Sequence, residues 1–367
     1  MGPELNYSFL DRLIHRIAFA APPVQLTAAD AESALFHTTF NGVDGRRPIF
    51  ITSLPRAGTT LLLEALHLFP SLAAHLYRDM PFVMAPVLWS RLVGGFRKKS
   101  ELRERAHGDG MQIGYDSPEA FEEVLWRAFW PEKYGAHGIA LWHATDGKDQ
   151  ASAFFAQHMK KIIALRRPDR PQDGRYISKN NANIARLDLI VRMFPDASVV
   201  VPFRNPVEHA ISMLRQHRTF TRMHTEQPFV RRYMADIGHY EFGALHRPIA
   251  FPGLDELTRG RDPFGADYWL AYWIVAFDYV LARSDRVILV SYEDTCRDAS
   301  DALADICARA AIAEDGALPA AASRFSEPPP PRGGEIAVDA ALRDRAEVLH
   351  AALIEAARTQ RCLLGPQ

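Results

Sequence analysis

The chain has 367 residues, enough for one large α/β domain or two modest ones. Its 48% hydrophobic and 24% charged content is that of a folded globular protein, and a net charge of -1 gives no bulk attraction to nucleic acid or an acidic membrane. Three cysteines, Cys296, Cys307 and Cys362, are too few and too scattered for a disulfide framework or a Cys-rich zinc site.

The N-terminal stretch MGPELNYSFLDRLIHRIAFAAPP lacks the sustained apolar core of a secretory leader, because Asp11, Arg12, His15 and Arg16 interrupt it. Leu10, Leu13, Ile14 and Ile17 recur at helical spacing and predict a short amphipathic helix. No run of about 18 apolar residues occurs, so no membrane span is expected and the default location is the cytoplasm. PIFITSL (48–54) reads as a buried strand, and TTLLLEALHLF as a helix stopped by Pro70. GRYISK (174–179) is a second strand; ARLDLIVRMF (185–194) is a helix stopped by Pro195. SVVVPF (198–203) is a third strand that enters the helix RNPVEHAISMLRQH. WLAYWIVAFDYVLARS (269–284) is helical, RVILVSY (286–292) is a fourth strand, and DASDALADICARAA is a helix. Beyond the loop PPPPRGG, AALRDRAEVLHAALIEAARTQ forms a terminal helix.

Strands alternating with helices predict an α/β three-layer fold, a central mostly parallel sheet with helices on both faces. The expected organisation is a helical segment at 1–45, an α/β domain at 46–312, and a C-terminal loop and helix at 313–367 packed on the same domain. Two insertions, 75–150 and 216–265, are expected to cover the carboxyl ends of the strands, where ligands of such sheets bind.

ITSLPRAGTT (51–60) leads from the first strand into a helix. Gly58 admits a ligand close to the backbone, and the N–H groups of Ala57 to Leu61 open a helix, which is a ready anion site. Arg56 adds charge, and Thr59 and Thr60 add hydroxyls. The plain alternative is a strand–helix connection with threonine caps. The turn is not a Walker A loop: Ser53 and Leu54 stand where its first glycine belongs, and no lysine precedes Thr59.

LPRAGTTLL resembles the 5′-phosphosulfate loop, Pro-Lys/Arg-Ser-Gly-Thr-Thr, of the sulfotransferases that use 3′-phosphoadenylyl sulfate (PAPS). Ala57 departs from the usual serine. VVVPFRNPVEHAIS is similar to that family's second signature, with Arg204 at a strand end and Ser212 eight residues later. VILVSYEDTCRDASDALADIC resembles its Tyr-Glu-Asp segment and places Tyr292 near the adenine, where the alternative is a core tyrosine. The resemblance implies a P-loop NTPase-like fold and a nucleotide site of Arg56, Ala57, Gly58, Thr59, Thr60, Leu61, Arg204, Ser212 and Tyr292. Phe325 and Arg332-Gly333-Gly334 stand where the family closes over the nucleotide, without its usual Arg-Lys-Gly.

The implied reaction is sulfuryl transfer from PAPS to a hydroxyl or amine, releasing adenosine 3′,5′-bisphosphate without a metal. Negative charge grows on the leaving phosphate, so Arg56 and Lys179, at the end of the second strand, are the candidates to stabilise it. Two residues compete as general base: Asp79 in HLYRDMPFVMAP and His107 in RAHGDG. Asn181 stands near the place of a catalytic histidine in some members. Glu119, Glu122 and Glu123 follow Ser117-Pro118 and read as helix-opening residues. Trp126, Phe129, Trp130, Tyr134 and Trp142 are either an acceptor pocket or core. The acceptor is open among small molecules, lipids, carbohydrates and peptides. A P-loop-type kinase and a non-catalytic nucleotide-binding relative are the competing readings.

Overall fold

The computed structural model describes residues 9–93, 103–104, 112–113, 117–313, 315–327 and 336–362. The order is α1 (Phe9–Ala18), α2 (Pro22–Phe40), β1 (Ile49–Ile51), α3 (Thr59–Leu66), β2 (Leu72–Ala73), α4 (Pro86–Val93), β3 (Arg103–Glu104), β4 (Gln112–Ile113), α5 (Glu123–Phe129) and α6 (Asp149–Arg166). There follow β5 (Arg175–Lys179), α7 (Leu187–Met193), β6 (Ser198–Phe203), α8 (Pro206–Glu226), α9 (Pro228–Asp236), α10 (Leu254–Leu257), α11 (Ala266–Leu281) and β7 (Ile288–Ser291). The last elements are α12 (Tyr292–Arg297), α13 (Ala299–Arg309), α14 (Leu318–Ala322) and α15 (Ala340–Cys362).

The central sheet has the order β2-β5-β1-β6-β7, with every pairing parallel. Each strand therefore ends at the same edge, and Ile51 of β1 stands level with Lys179 of β5 and Val200 of β6. Strand side chains alternate between faces. Phe50, Val199 and Val201 point into the larger core with α6, α8, α11 and α15, whereas Ile49, Ile51 and Val200 pack against α3 and α13 on the other side. The result is the α/β three-layer fold.

Local chemistry sets the helices that matter for the site. Asn205 starts α8: its Oδ1 accepts from the Glu208 N–H at 3.1 Å, and Pro206 at the first position has no N–H to lose. α11 is apolar over most of its circumference and buried except at Asp267, Asp278 and Leu281; Trp269 and Trp273 are both 0% exposed. β7 is an edge strand whose outer backbone is met by a side chain. The Leu289 N–H donates to Gln360 Oε1 at 3.0 Å, and Gln360 Nε2 donates to the carbonyls of Ser284 (2.6 Å) and Val287 (2.9 Å).

The fourth strand is shorter than its apolar run, because Tyr292 already begins α12. The terminal strand of the sheet, β2, and helices α2 and α6 were not among the sequence expectations. α2 hides its inner face behind polar residues: Glu32 is 0% exposed and pairs with buried Lys161 of α6 at 3.1 Å. Among the described residues no helix is long and apolar enough to cross a membrane.

Candidate active site

β1 hands the chain to a strained turn. Arg56 has φ 76° and Gly58 φ 87°, both left-handed. A non-glycine residue held there costs on the order of 1–3 kcal/mol and persists only when its surroundings fix it. The fixing groups come from α8. His209 Nε2 lies 2.8 Å from the Pro55 carbonyl, and Arg56 Nε donates to Ser212 Oγ at 3.4 Å. Burial, reinforced by Arg204 and Arg56 against the opposing bond to Pro55, lowers the His209 pKa to about 3. The ring is therefore neutral, and Nε2 carries the proton it donates. No side chain caps the first N–H groups of α3, so they face the turn unneutralised.

Tyr292 joins this turn to the second signature. A Cβ on Gly58 would sit 2.7 Å from Tyr292 Cδ2, so only glycine lets the ring lie against the loop. The Arg204 guanidinium covers the ring at 5.0 Å from its centroid. Burial pushes the Tyr292 hydroxyl up to about 12. The Asn205 N–H donates to Glu293 Oε1 at 2.9 Å and ties α8 to α12. Arg56, Gly58, Ser212, Arg204 and Tyr292 thus form one continuous surface at the strand ends.

Beside this surface lies a cavity of about 50 Å³. Pro55, Arg56, Thr59 and Thr60 make one wall, and Lys179 and Asn181 come from the end of β5. The 216–265 segment supplies Phe220, His239, Glu241 and Phe242. A hydrogen-bond chain crosses it: Thr59 Oγ1 donates to Asn181 Oδ1 (3.2 Å), and Asn181 Nδ2 donates to Glu241 Oε1 (3.1 Å). Two cations, a carboxylate and an imidazole thus line one small cavity, an arrangement suited to moving an anionic group while a proton is removed.

Sequence reasoning missed His209, Phe220, His239, Glu241 and Phe242. One signal was present: GHYEFG sets a histidine and a glutamate between two glycines, and both Gly238 (φ 82°) and Gly243 (φ 68°) make left-handed turns.

Asp79 stands apart from this cavity. Its carboxylate is 2% exposed, paired with Arg166, and accepts from the Leu76 N–H at 2.9 Å; His75 Nδ1 lies 3.1 Å away. Burial would raise its pKa, but Arg166 and His75 outweigh that and hold it well below the usual carboxylate range. His107 and Arg332 to Gly334 lie outside the described residues. Phe325 packs on the α3 side of the sheet.

Glu122 is the N-cap and Glu123 the first residue of α5, so both stand at a helix opening as expected, but they are buried, at 1% and 2% exposed. Glu123 pairs with Arg186 at 2.9 Å and accepts from Asn180 Nδ2 at 2.6 Å, while Glu122 accepts from Trp126 (2.8 Å) and Asn183 (2.9 Å). They anchor the chain that follows Lys179. Trp126, Trp130 and Trp142 are core, with Arg186 stacked on Trp126 and Trp142 at 4.6 and 4.2 Å.

A parallel sheet whose strand ends carry a helix start without a side-chain cap, beside an arginine–serine pair, defines a class of α/β protein. The sequence matches the sulfotransferase family over residues 48–315, more than half of its length, and the chain belongs to that family. No curated protein matches it. Among solved structures it is similar to the sulfotransferase STF1 of Mycobacterium tuberculosis, at 17% identity and TM-score 0.50, over 96% of this chain and 88% of that one. It also aligns with the sulfotransferase STF9 of Mycobacterium avium, at 12% identity and TM-score 0.49, over 96% and 86%. At such identity the likeness to the first speaks for the fold alone.

Proposed function

We propose that the protein transfers a sulfuryl group from PAPS to a hydroxyl or amine of an acceptor. The observation that carries this reading is the meeting of the two phosphate signatures, Arg56 on Ser212 at 3.4 Å, with Tyr292 between Gly58 and Arg204. The residues present fit the donor. The uncapped N–H groups of α3, with Arg56, Thr59 and Thr60, would hold the 5′-phosphosulfate; Arg204 and Ser212 would hold the 3′-phosphate; Tyr292 would lie against the adenine.

The donor supplies an S–O bond whose cleavage leaves a phosphate oxygen. Arg56 and Lys179 are set to take the charge that grows there, and they do so without reorganising because strand register and the strained turn fix both. The acceptor oxygen or nitrogen forms the new bond to sulfur and gives up its proton. Glu241 is our choice of base, because it lines the same cavity as Lys179 and Asn181 orients its carboxylate. Asp79, already paired with Arg166, fits an anchoring role better.

Adenosine 3′,5′-bisphosphate should raise the melting temperature without magnesium, and Mg-ATP should not. The reverse result would favour a kinase. Labelled PAPS should pass its sulfuryl group to hydroxyl compounds. Glu241→Gln should lower kcat by about 100-fold or more while bisphosphate binding is kept. Full activity in Glu241→Gln, with loss in His239→Asn, would move the base to His239.

A further inference from the structure

The loop that carries Glu241 is held by three side chains outside the cavity, His217, His246 and Tyr268. Residues 240–247 close on themselves: the Arg247 N–H donates to the Tyr240 carbonyl at 2.8 Å, and the His246 N–H to the Gly243 carbonyl at 3.0 Å. Gly243 lies tight against α8, where any side chain would meet Phe220 and His224. Its N–H donates to His217 Nδ1 of α8 at 3.2 Å. Within the loop, His246 Nδ1 lies 2.7 Å from the Glu241 carbonyl, and His246 Nε2 lies 2.8 Å from the Tyr268 hydroxyl of α11.

These partners fix where the protons sit. A carbonyl only accepts, so His246 Nδ1 carries a hydrogen. Burial, then the nearby His217, lowers the His246 pKa to about 4 against the opposing bond to Glu241. The ring is therefore neutral near pH 7, Nε2 is a lone pair, and the Tyr268 hydroxyl donates to it. The imidazole packs on Trp269 at 5.0 Å and on His217 at 5.5 Å between ring centroids. Tyr268 and His246 thus form a chain of hydrogen bonds, all of one direction, that ends on the Glu241 backbone.

Glu241 is held at two points. His246 grips its carbonyl at 2.7 Å, and Asn181 Nδ2 donates to its carboxylate at 3.1 Å. An irregular loop has no ladder of backbone bonds to set its main chain, so side chains must do it. We propose that His246 is a positioning residue for sulfuryl transfer, its tautomer set by Tyr268, and that it fixes the Glu241 main chain so that the carboxylate meets the acceptor's proton. That proton passes to Glu241 as the acceptor's bond to sulfur forms and the bond from sulfur to the phosphate oxygen breaks. The proposal rests on the reading of Glu241 as base. A misplacement of about 1 Å in a reacting group costs on the order of 100-fold in rate.

The test uses the full chain. Labelled PAPS is offered with 2-naphthol, 1-octanol or glucosamine, and with water alone, where free sulfate is counted; the fastest acceptor is kept. His246→Leu should lower kcat by about tenfold or more, with PAPS KM and bisphosphate affinity within about threefold of wild type. His246→Asn, whose amide replaces the Nδ1 donor, should restore kcat to within about threefold. In the Glu241→Gln background His246→Leu should cost nothing further, because a positioning residue acts only through the group it positions. Nitrogen NMR, assigned with His246→Asn, should show His246 as the neutral Nδ1–H tautomer. Where melting shows that His246→Leu does not fold, Tyr268→Phe takes its place in the same cycle, with a loss of about threefold or more. A normal kcat in the single variant, an equal loss in both backgrounds, or the Nε2–H tautomer overturns the proposal. Full activity in Glu241→Gln overturns the base assignment instead, and absence of any transfer overturns the sulfotransferase reading; the proposal falls with either.

Discussion

Arg56 and Gly58 share a left-handed backbone for opposite reasons. Gly58 is there because Tyr292 leaves no room for a Cβ; Arg56 is there despite its Cβ. Their variants should therefore diverge. Gly58→Ala adds strain of about 1–2 kcal/mol and pushes Tyr292 from the loop, so both stability and bisphosphate affinity should fall. Arg56→Gly exchanges relief of strain against a more flexible unfolded chain, so stability should change by less than about 1 kcal/mol while sulfuryl transfer is lost. Thermal unfolding and bisphosphate calorimetry on the two proteins check this; equal destabilisation would show that the turn is not strained at Arg56. Arg56 and Lys179 could be picked out from sequence because each stands at or just beyond a predicted strand end, where the family resemblance calls for a cation. Glu241 and His239 could not. They reach the cavity through a segment without periodicity, and their proximity to Lys179 exists only after folding.

α8 separates two kinds of contribution along one element. Asn205 serves the helix itself, whereas Ser212, two turns on, serves Arg56. Asn205→Ala should cost about 1 kcal/mol of stability. Ser212→Ala should leave the melting temperature nearly unchanged and weaken bisphosphate binding about tenfold, the worth of one hydrogen bond to a charged group. A Ser212→Ala protein that binds bisphosphate normally would remove the 3′-phosphate role. α5 works by a different device, because its buried Glu123 balances Arg186 and holds Asn180. Glu123→Gln leaves that guanidinium unbalanced in the core and should cost about 3–5 kcal/mol by denaturant titration. β6 and the start of α8 were legible because an apolar run ends in Asn-Pro, a helix-start signal. α2 and β2 were not. The first buries Gln25 and Glu32 where apolar residues would betray a core face, and the second is two residues long.

The molecule as a whole carries buried histidines that resist protonation. Burial lowers His209 to about 3 and His217, His224 and His246 to about 4. Below their ordinary value near 6.5 the unfolded chain takes up protons that the folded chain refuses. Their contribution is complete above about pH 6.5 and lost as pH falls through 4. Melting temperature should accordingly decline between pH 7 and 4.5, and His246→Asn should flatten that decline; a constant value across the range would contradict it. Asp79 acts lower still, its pairing with Arg166 failing only as pH falls below the normal carboxylate range.

The side chain that closes the edge of β7 belongs to nearly the last turn of the final helix. During synthesis every strand of the sheet leaves the ribosome well before position 360, and the outer backbone of β7 then stands open to a second nascent chain. A product stopped just short of Gln360 would hold every candidate site residue and still be prone to clump, because exposed strand edges pair with one another. Soluble yield should therefore depend on a residue that touches neither donor nor acceptor.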